Sequence, residues 1–191
     1  GLPFPLALAT HKVASVALGV GATLRHAQEK ALDWRFAVFI LACGLPGVVL
    51  GARVVLAVPA SICTLLLGLL TIGLGLYSMM TPALGNLSQP AHRNLTGLVI
   101  GGGVLFAIGF LNGSLTSGTG LFVTLWLVRW FGLDYSRAVA YTLILVGLFW
   151  NAAGAITLGT QGQIAWLWLP ALLAGSVAGG YLGAHLAIAK G

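Results

Sequence analysis

The sequence predicts an all-α, polytopic helical membrane protein, and three observations carry that prediction. Hydrophobic residues make up 59% of the 191 and charged residues only 6%. The apolar residues gather into several blocks of about 20, the length a helix needs to cross a hydrocarbon layer about 30 Å thick. Those blocks are built of Gly, Ala and Leu, without the polar and apolar alternation that a membrane barrel strand requires.

The elements follow in order. Helices are expected at 5–25, 35–57, 60–80, 138–158 and 165–188, with the stretch 96–130 divided in two. The first carries Thr10, His11 and Lys12 among apolar neighbours. Pro46 lies inside the second and should bend it, because its ring removes one backbone hydrogen bond, while Pro59 fits a tight connection into the third. Runs rich in Gly and Ala, Gly44 to Ala52 and Gly175 to Ala184, let helix backbones approach closely.

The stretch 96–130 is the informative one. Asn112-Gly113-Ser114-Leu115-Thr116-Ser117-Gly118-Thr119-Gly120 interrupts two apolar segments, each expected to be too short to cross a membrane comfortably. Broken backbone is tolerated at membrane depth only where it lines a cavity or is buried in protein, so the break is the natural candidate for a substrate site. Two short helices forming a hairpin are expected here, with a tip that either stops within the membrane or passes through it.

Charge supports the hairpin. Nine Lys and Arg against three Asp and Glu give a net charge of +6. These cations mostly occupy short connections instead of one basic face, which argues against nucleic-acid binding. If 96–130 returns to the side from which it starts, one face gathers Arg25, Lys30, Arg35, Arg93, Arg129, Arg137 and Lys190, leaving Lys12 and Arg53 near the other. A single crossing moves Arg129, Arg137 and Lys190 across and weakens the bias. The returning hairpin, with its basic face cytoplasmic, is therefore favoured.

An internal duplication points the same way. Allowing one inserted residue, Trp34 matches Trp166, and Gly47, Leu50, Gly51 and Ala52 match Gly179, Leu182, Gly183 and Ala184; upstream, Leu2 and Ala7 match Leu133 and Ala138. The expected organisation is one membrane domain over 1–191, with a partial first repeat at 1–80 and a second repeat at 96–188 that begins with the hairpin 96–130. With a returning hairpin the two repeats are inverted, the arrangement common in secondary transporters with a midplane site. The first repeat then lacks a hairpin of its own, which would precede Gly1, and the chain is expected to be part of a longer protein.

The chemistry available to the break suits an anion. Asn112 supplies an amide, Ser114, Thr116, Ser117 and Thr119 supply hydroxyls, and Gly118 and Gly120 expose backbone N–H groups at the start of the second short helix. The competing reading is a tight turn with close helix packing. Asn151 sits inside an apolar segment and needs a partner, so it either faces the cavity or clasps another helix. Thr142, about two and a half turns before it, stands with His11 and Lys12 as a candidate for coupling or gating. His11 is a candidate for coupling to a proton, or forms a structural hydrogen bond. Lys12 either pairs with the anion or, as slightly favoured here, snorkels to the headgroups.

Other chemistries find little to stand on. The only acids are Glu29, Asp33 and Asp134, all in connections, so no carboxylate lies in a helix core. Cys43 and Cys63 read as small packing residues, and no Cys/His cluster has metal-ligand spacing. Neither a nucleophile triad nor a phosphate-binding loop is present, the tryptophans near helix ends are interfacial anchors, and no cofactor is needed.

These motifs resemble the sulfite exporter TauE/SafE family of bacterial membrane permeases. The resemblance is most specific at Gly109-Phe110-Leu111-Asn112-Gly113-Ser114-Leu115-Thr116-Ser117-Gly118-Thr119-Gly120-Leu121-Phe122-Val123-Thr124. It continues through Gly132-Leu133-Asp134, Ala138-Val139-Ala140, Thr142 and Gly162-Gln163-Ile164-Ala165-Trp166 to Gly179-Gly180-Tyr181-Leu182-Gly183-Ala184. It implies export of sulfite, sulfoacetate or a related organosulfur anion across the bacterial inner membrane by duplicated halves. The family pattern commonly has a denser glycine run and a following proline where this chain has Ser117-Gly118-Thr119-Gly120 and Thr124. The sequence thus reads as a secondary permease, not an enzyme, with a lipid bilayer, a small anion and a coupling proton as its partners. The rival reading is a membrane subunit that recruits a partner through its Gly/Ala-rich helices.

Overall fold

The computed structural model describes residues 3–26, 32–80, 89–116, 118–161 and 164–190. Its helices are α1 (Phe4–His26), α2 (Trp34–Val54, continued by a 3-10 turn Val55–Ala57), α3 (Ala60–Met80), α4 (Leu95–Ser114), α5 (Thr119–Arg129), α6 (Tyr135–Tyr141), α7 (Asn151–Gly159) and α8 (Leu169–Lys190). A π-helical stretch, Thr142–Trp150, joins α6 to α7 in one rod, and a 3-10 turn, Trp166–Trp168, precedes α8. Among the described residues, six helical segments are long and apolar enough to cross a membrane, and α5, with 11 residues, is the short one. The protein is an all-α, polytopic membrane protein.

The break is narrower than its sequence suggested. Asn112, Gly113 and Ser114 complete the 20-residue α4, and Thr119 and Gly120 already belong to α5. The expectation of two segments too short to cross therefore holds for the second only. Helix persists through Ser114 because polar side chains there find partners without unwinding: Ser114 Oγ donates to the Phe110 carbonyl at 2.9 Å, and Asn112 bonds sideways.

The helix starts explain two of the three acids. Asp33 caps α2 by accepting from the N–H of Arg35 at 3.0 Å, and Asp134 caps α6 by accepting from that of Arg137 at 2.9 Å. A carboxylate at an N-cap satisfies an orphan donor and favours the positive helix end. Glu29 and Lys30 lie outside the described residues.

Close backbone contacts fix which helices neighbour which. A Cβ on Gly109 would strike the Gly44 carbonyl, and one on Gly113 the Val48 carbonyl, so α2 and α4 pack side by side in the same sense. Gly19 faces Gly147 while Lys12 lies against Gly154, so α1 runs opposite to the Tyr135–Gly159 rod. With no hydrophobic drive between helices in lipid, such small-residue seams carry the association.

α5 turns back along α4. The indole N–H of Trp126 donates to the Gly101 carbonyl at 3.3 Å and that of Trp130 to the Gly97 carbonyl at 3.0 Å. Beside them, Gln89 N–H bonds the Gly132 carbonyl at 2.8 Å, Ala91 N–H bonds the Phe131 carbonyl at 3.1 Å, and the His92 ring stacks on Trp130. Leu95 and Arg129 thus lie at the same end of the bundle, where Arg93 covers the Phe36 ring at 4.2 Å.

Candidate functional site

Four side chains from four helices converge where α4 ends. Lys12 of α1 is fully buried, and Asn112, Thr119 and Asn151 are 2%, 1% and 6% exposed. Lys12 Nζ donates to the Asn112 carbonyl at 2.7 Å and to Asn112 Oδ1 at 3.1 Å, with Asn151 Oδ1 at 3.4 Å. Asn112 Nδ2 in turn donates to Thr119 Oγ1 at 2.9 Å, and that hydroxyl donates to the Thr116 carbonyl at 2.7 Å. The slight preference for a snorkelling Lys12 is overturned: α1 packs against α7 and the end of α4 lies within reach of the lysine stem, so the side chain is drawn inward to oxygen acceptors. By helical rise, Lys12 lies about 12 Å from the Phe4 end of α1 and about 21 Å from the His26 end.

The turn between the helices is backbone-strained. Thr116 has φ 68° and Gly118 φ 73°. Glycine adopts this region freely, but a β-branched residue there is held by its surroundings. Thr116 Oγ1 donates to the Asn112 carbonyl at 2.9 Å, so that one carbonyl receives both the hydroxyl and the Lys12 ammonium.

The remaining candidates divide. Ser114 is buried but bonded within α4, Gly118 is exposed at the tip, and Ser117 lies outside the described residues. Gly120 faces Thr142, whose hydroxyl accepts a hydrogen bond from Thr124 Oγ1 at 2.9 Å; Thr142 therefore joins α5 and stands apart from the Lys12 cluster. His11 is exposed and shares a 3.3 Å hydrogen bond with Ser15. Its neighbour Thr10 accepts from the Ala165 N–H at 2.9 Å, tying α1 to the connection before α8.

Comparison with known proteins decides the family. The model of the family described as "Sulfite exporter TauE/SafE" matches residues 1–191. The chain belongs to the TauE/SafE family. A Haemophilus influenzae protein named "Probable membrane transporter protein" is 29% identical over 191 residues, which is 100% of this chain and 74% of that protein. The Escherichia coli protein of the same description, YfcA, is 28% identical over 97% of this chain and 68% of its own length; ORF9 of a Sinorhizobium species is 28% identical over 100% and 72%. No solved structure matches the chain at a significant level.

As a TauE/SafE member the protein is a multi-pass membrane transporter of the bacterial inner membrane and not an enzyme. Three features of this TauE/SafE chain were not read from its sequence. Gly154 forms the notch through which Lys12 passes: a Cβ there would lie 2.6 Å from Lys12 Cδ and 2.8 Å from Cε. Trp150 is fully buried against Gly44, and among the described residues its indole N–H has no hydrogen-bond partner. The π-helical turn geometry of Thr142–Trp150, a form often found at functional sites, ends next to Asn151. The spacing of Asn151 and Gly154, three apart and hence on one helix face, was the available signal.

Proposed function

We propose that this transporter exports a small organosulfur anion such as sulfite or sulfoacetate, bound where α4 gives way to α5. The observation that carries the reading is the fully buried Lys12 ammonium, met among the described residues by the neutral oxygens of Asn112 and Asn151. A buried cation without a counter-charge is costly, and an anion resolves that cost. The Thr116 and Thr119 hydroxyls, which here donate to the Asn112 and Thr116 carbonyls, would turn to an oxyanion and join Ser117 and the first N–H groups of α5 as its donors.

On this reading the Leu95–Arg129 hairpin dips into the membrane and returns, as its shared base at Gly97 and Trp130 supports. Residues 1–80 and 96–188 form inverted repeats that rock around the site, and opposite running senses of α1 and the Tyr135–Gly159 rod accord with that inversion. A proton is the proposed coupling ion. Family membership favours transport over a partner-recruiting subunit.

The test is flux of sulfite and of sulfoacetate in proteoliposomes, with and without an imposed proton gradient. Protein-dependent flux of either anion, lost when Thr116 or Ser117 is replaced by a bulky apolar residue in folded protein, supports the site. Flux indifferent to both substitutions removes it.

A further inference from the structure

The helix break presents two unlike ends. α4 finishes in backbone carbonyls, whose partial negative charge favours a cation, and α5 starts in N–H groups, which favour an anion. Carriers with broken helices commonly hold Na+ at the first kind of end and an anionic substrate group at the second.

In this chain a side chain fills the first position. The Lys12 ammonium has the Asn112 carbonyl at 2.7 Å, Asn112 Oδ1 at 3.1 Å and Asn151 Oδ1 at 3.4 Å, three uncharged oxygens from two helices. Carbonyl and amide oxygens of this kind are the donors a hard cation takes. The stem is accommodated by the notch at Gly154, and among the described residues no helix contains Asp or Glu, so no described carboxylate within the bundle cancels the charge.

We propose that Lys12 is a tethered cation, occupying as part of the polypeptide the oxygen site that a sodium ion would otherwise fill. Transport is then independent of sodium, and the ammonium is the fixed counter-charge of the anion at the α5 end. This rests on the substrate site proposed above. Lys12→Ala empties the oxygen cage and re-creates a sodium site. Lys12→Met keeps the stem, fills the space and offers no charge.

The experiment uses the full chain, with thermal unfolding in detergent and sulfite flux in liposomes, each in sodium chloride and in choline chloride at equal ionic strength. The wild type is expected to show the same Tm and the same flux in both salts. Lys12→Ala should melt lower than wild type, with a Tm raised by sodium over choline; Lys12→Met should melt lower in both salts alike. In choline, Lys12→Ala should lose about tenfold or more in flux, the scale of one charge-assisted hydrogen bond, and recover part of it in sodium.

A wild type that requires sodium for stability or flux overturns the proposal, whatever the variants do. So does a folded Lys12→Ala protein blind to sodium. Absence of sulfite flux in every form counts against the substrate reading alone, because the Tm comparison still judges the tethered cation.

Discussion

Asn112 Nδ2 donates to Thr119 Oγ1 at 2.9 Å, so one side chain joins the last turn of α4 to the first residue of α5 across the break. The same amide turns its oxygen to Lys12 at 3.1 Å. One residue therefore ties the shape of the turn to the position of the buried charge.

Replacing Asn112 by Leu should remove both ties and leave the Lys12 ammonium short of acceptors, lowering stability by about 2–4 kcal/mol in thermal or denaturant unfolding. Asn112→Asp should behave differently. Its carboxylate loses the donation to Thr119 but gains an ion pair with Lys12 that offsets it, and it cancels the charge offered to an anion, so sulfite flux should fall while Tm is largely retained. Wild-type flux in Asn112→Asp would disprove the electrostatic role.

Gly154→Ala should displace the Lys12 stem, because the new methyl meets Cδ and Cε, at a cost of about 1–3 kcal/mol. The cost depends on the lysine, so Gly154→Ala placed on Lys12→Ala should be nearly harmless. Strict additivity of the two changes in unfolding free energy would show that the notch serves something other than Lys12.

Thr124 and Thr142 satisfy one another, with a 2.9 Å hydrogen bond between buried hydroxyls. Each single change to Val strands the partner and should cost about 1–3 kcal/mol; the double change removes both polar groups in matched shapes and should cost less than either single change. A double variant as unstable as the sum of the singles would refute that pairing.

Most helix positions were legible in the sequence because a lipid-spanning helix writes its own length in apolar residues. The expected 60–80 is Ala60–Met80, and 35–57 is α2 together with its 3-10 extension. The break was located but drawn too wide, since Asn112 and Ser114 look like helix breakers until their partners are known. Lys12 was the harder case. A lysine a third of the way along an isolated helix has headgroups within reach, and only the packing of α1 on α7, with the end of α4 one side-chain length away, gives it nearer acceptors. Thr142 was read beside Asn151 along the chain, whereas its side chain meets Thr124 on α5. Gly154, in an Ala-rich run, was not singled out, because a notch is defined by what passes through it.

The acceptors of Lys12 lie 100 and 139 residues further along the polypeptide. At roughly 5–20 residues per second, α1 is finished about 4–17 s before Asn112 emerges from the ribosome. Through that interval α1 must enter the bilayer carrying an ammonium that costs about 2.5–3.5 kcal/mol near a helix centre, eased only by stretching toward the headgroups. Snorkelling is thus the posture of the nascent helix, and α1 reaches its final depth only when α4 and α7 arrive. The seating of Lys12 therefore depends on helices that are synthesised after the one that carries it.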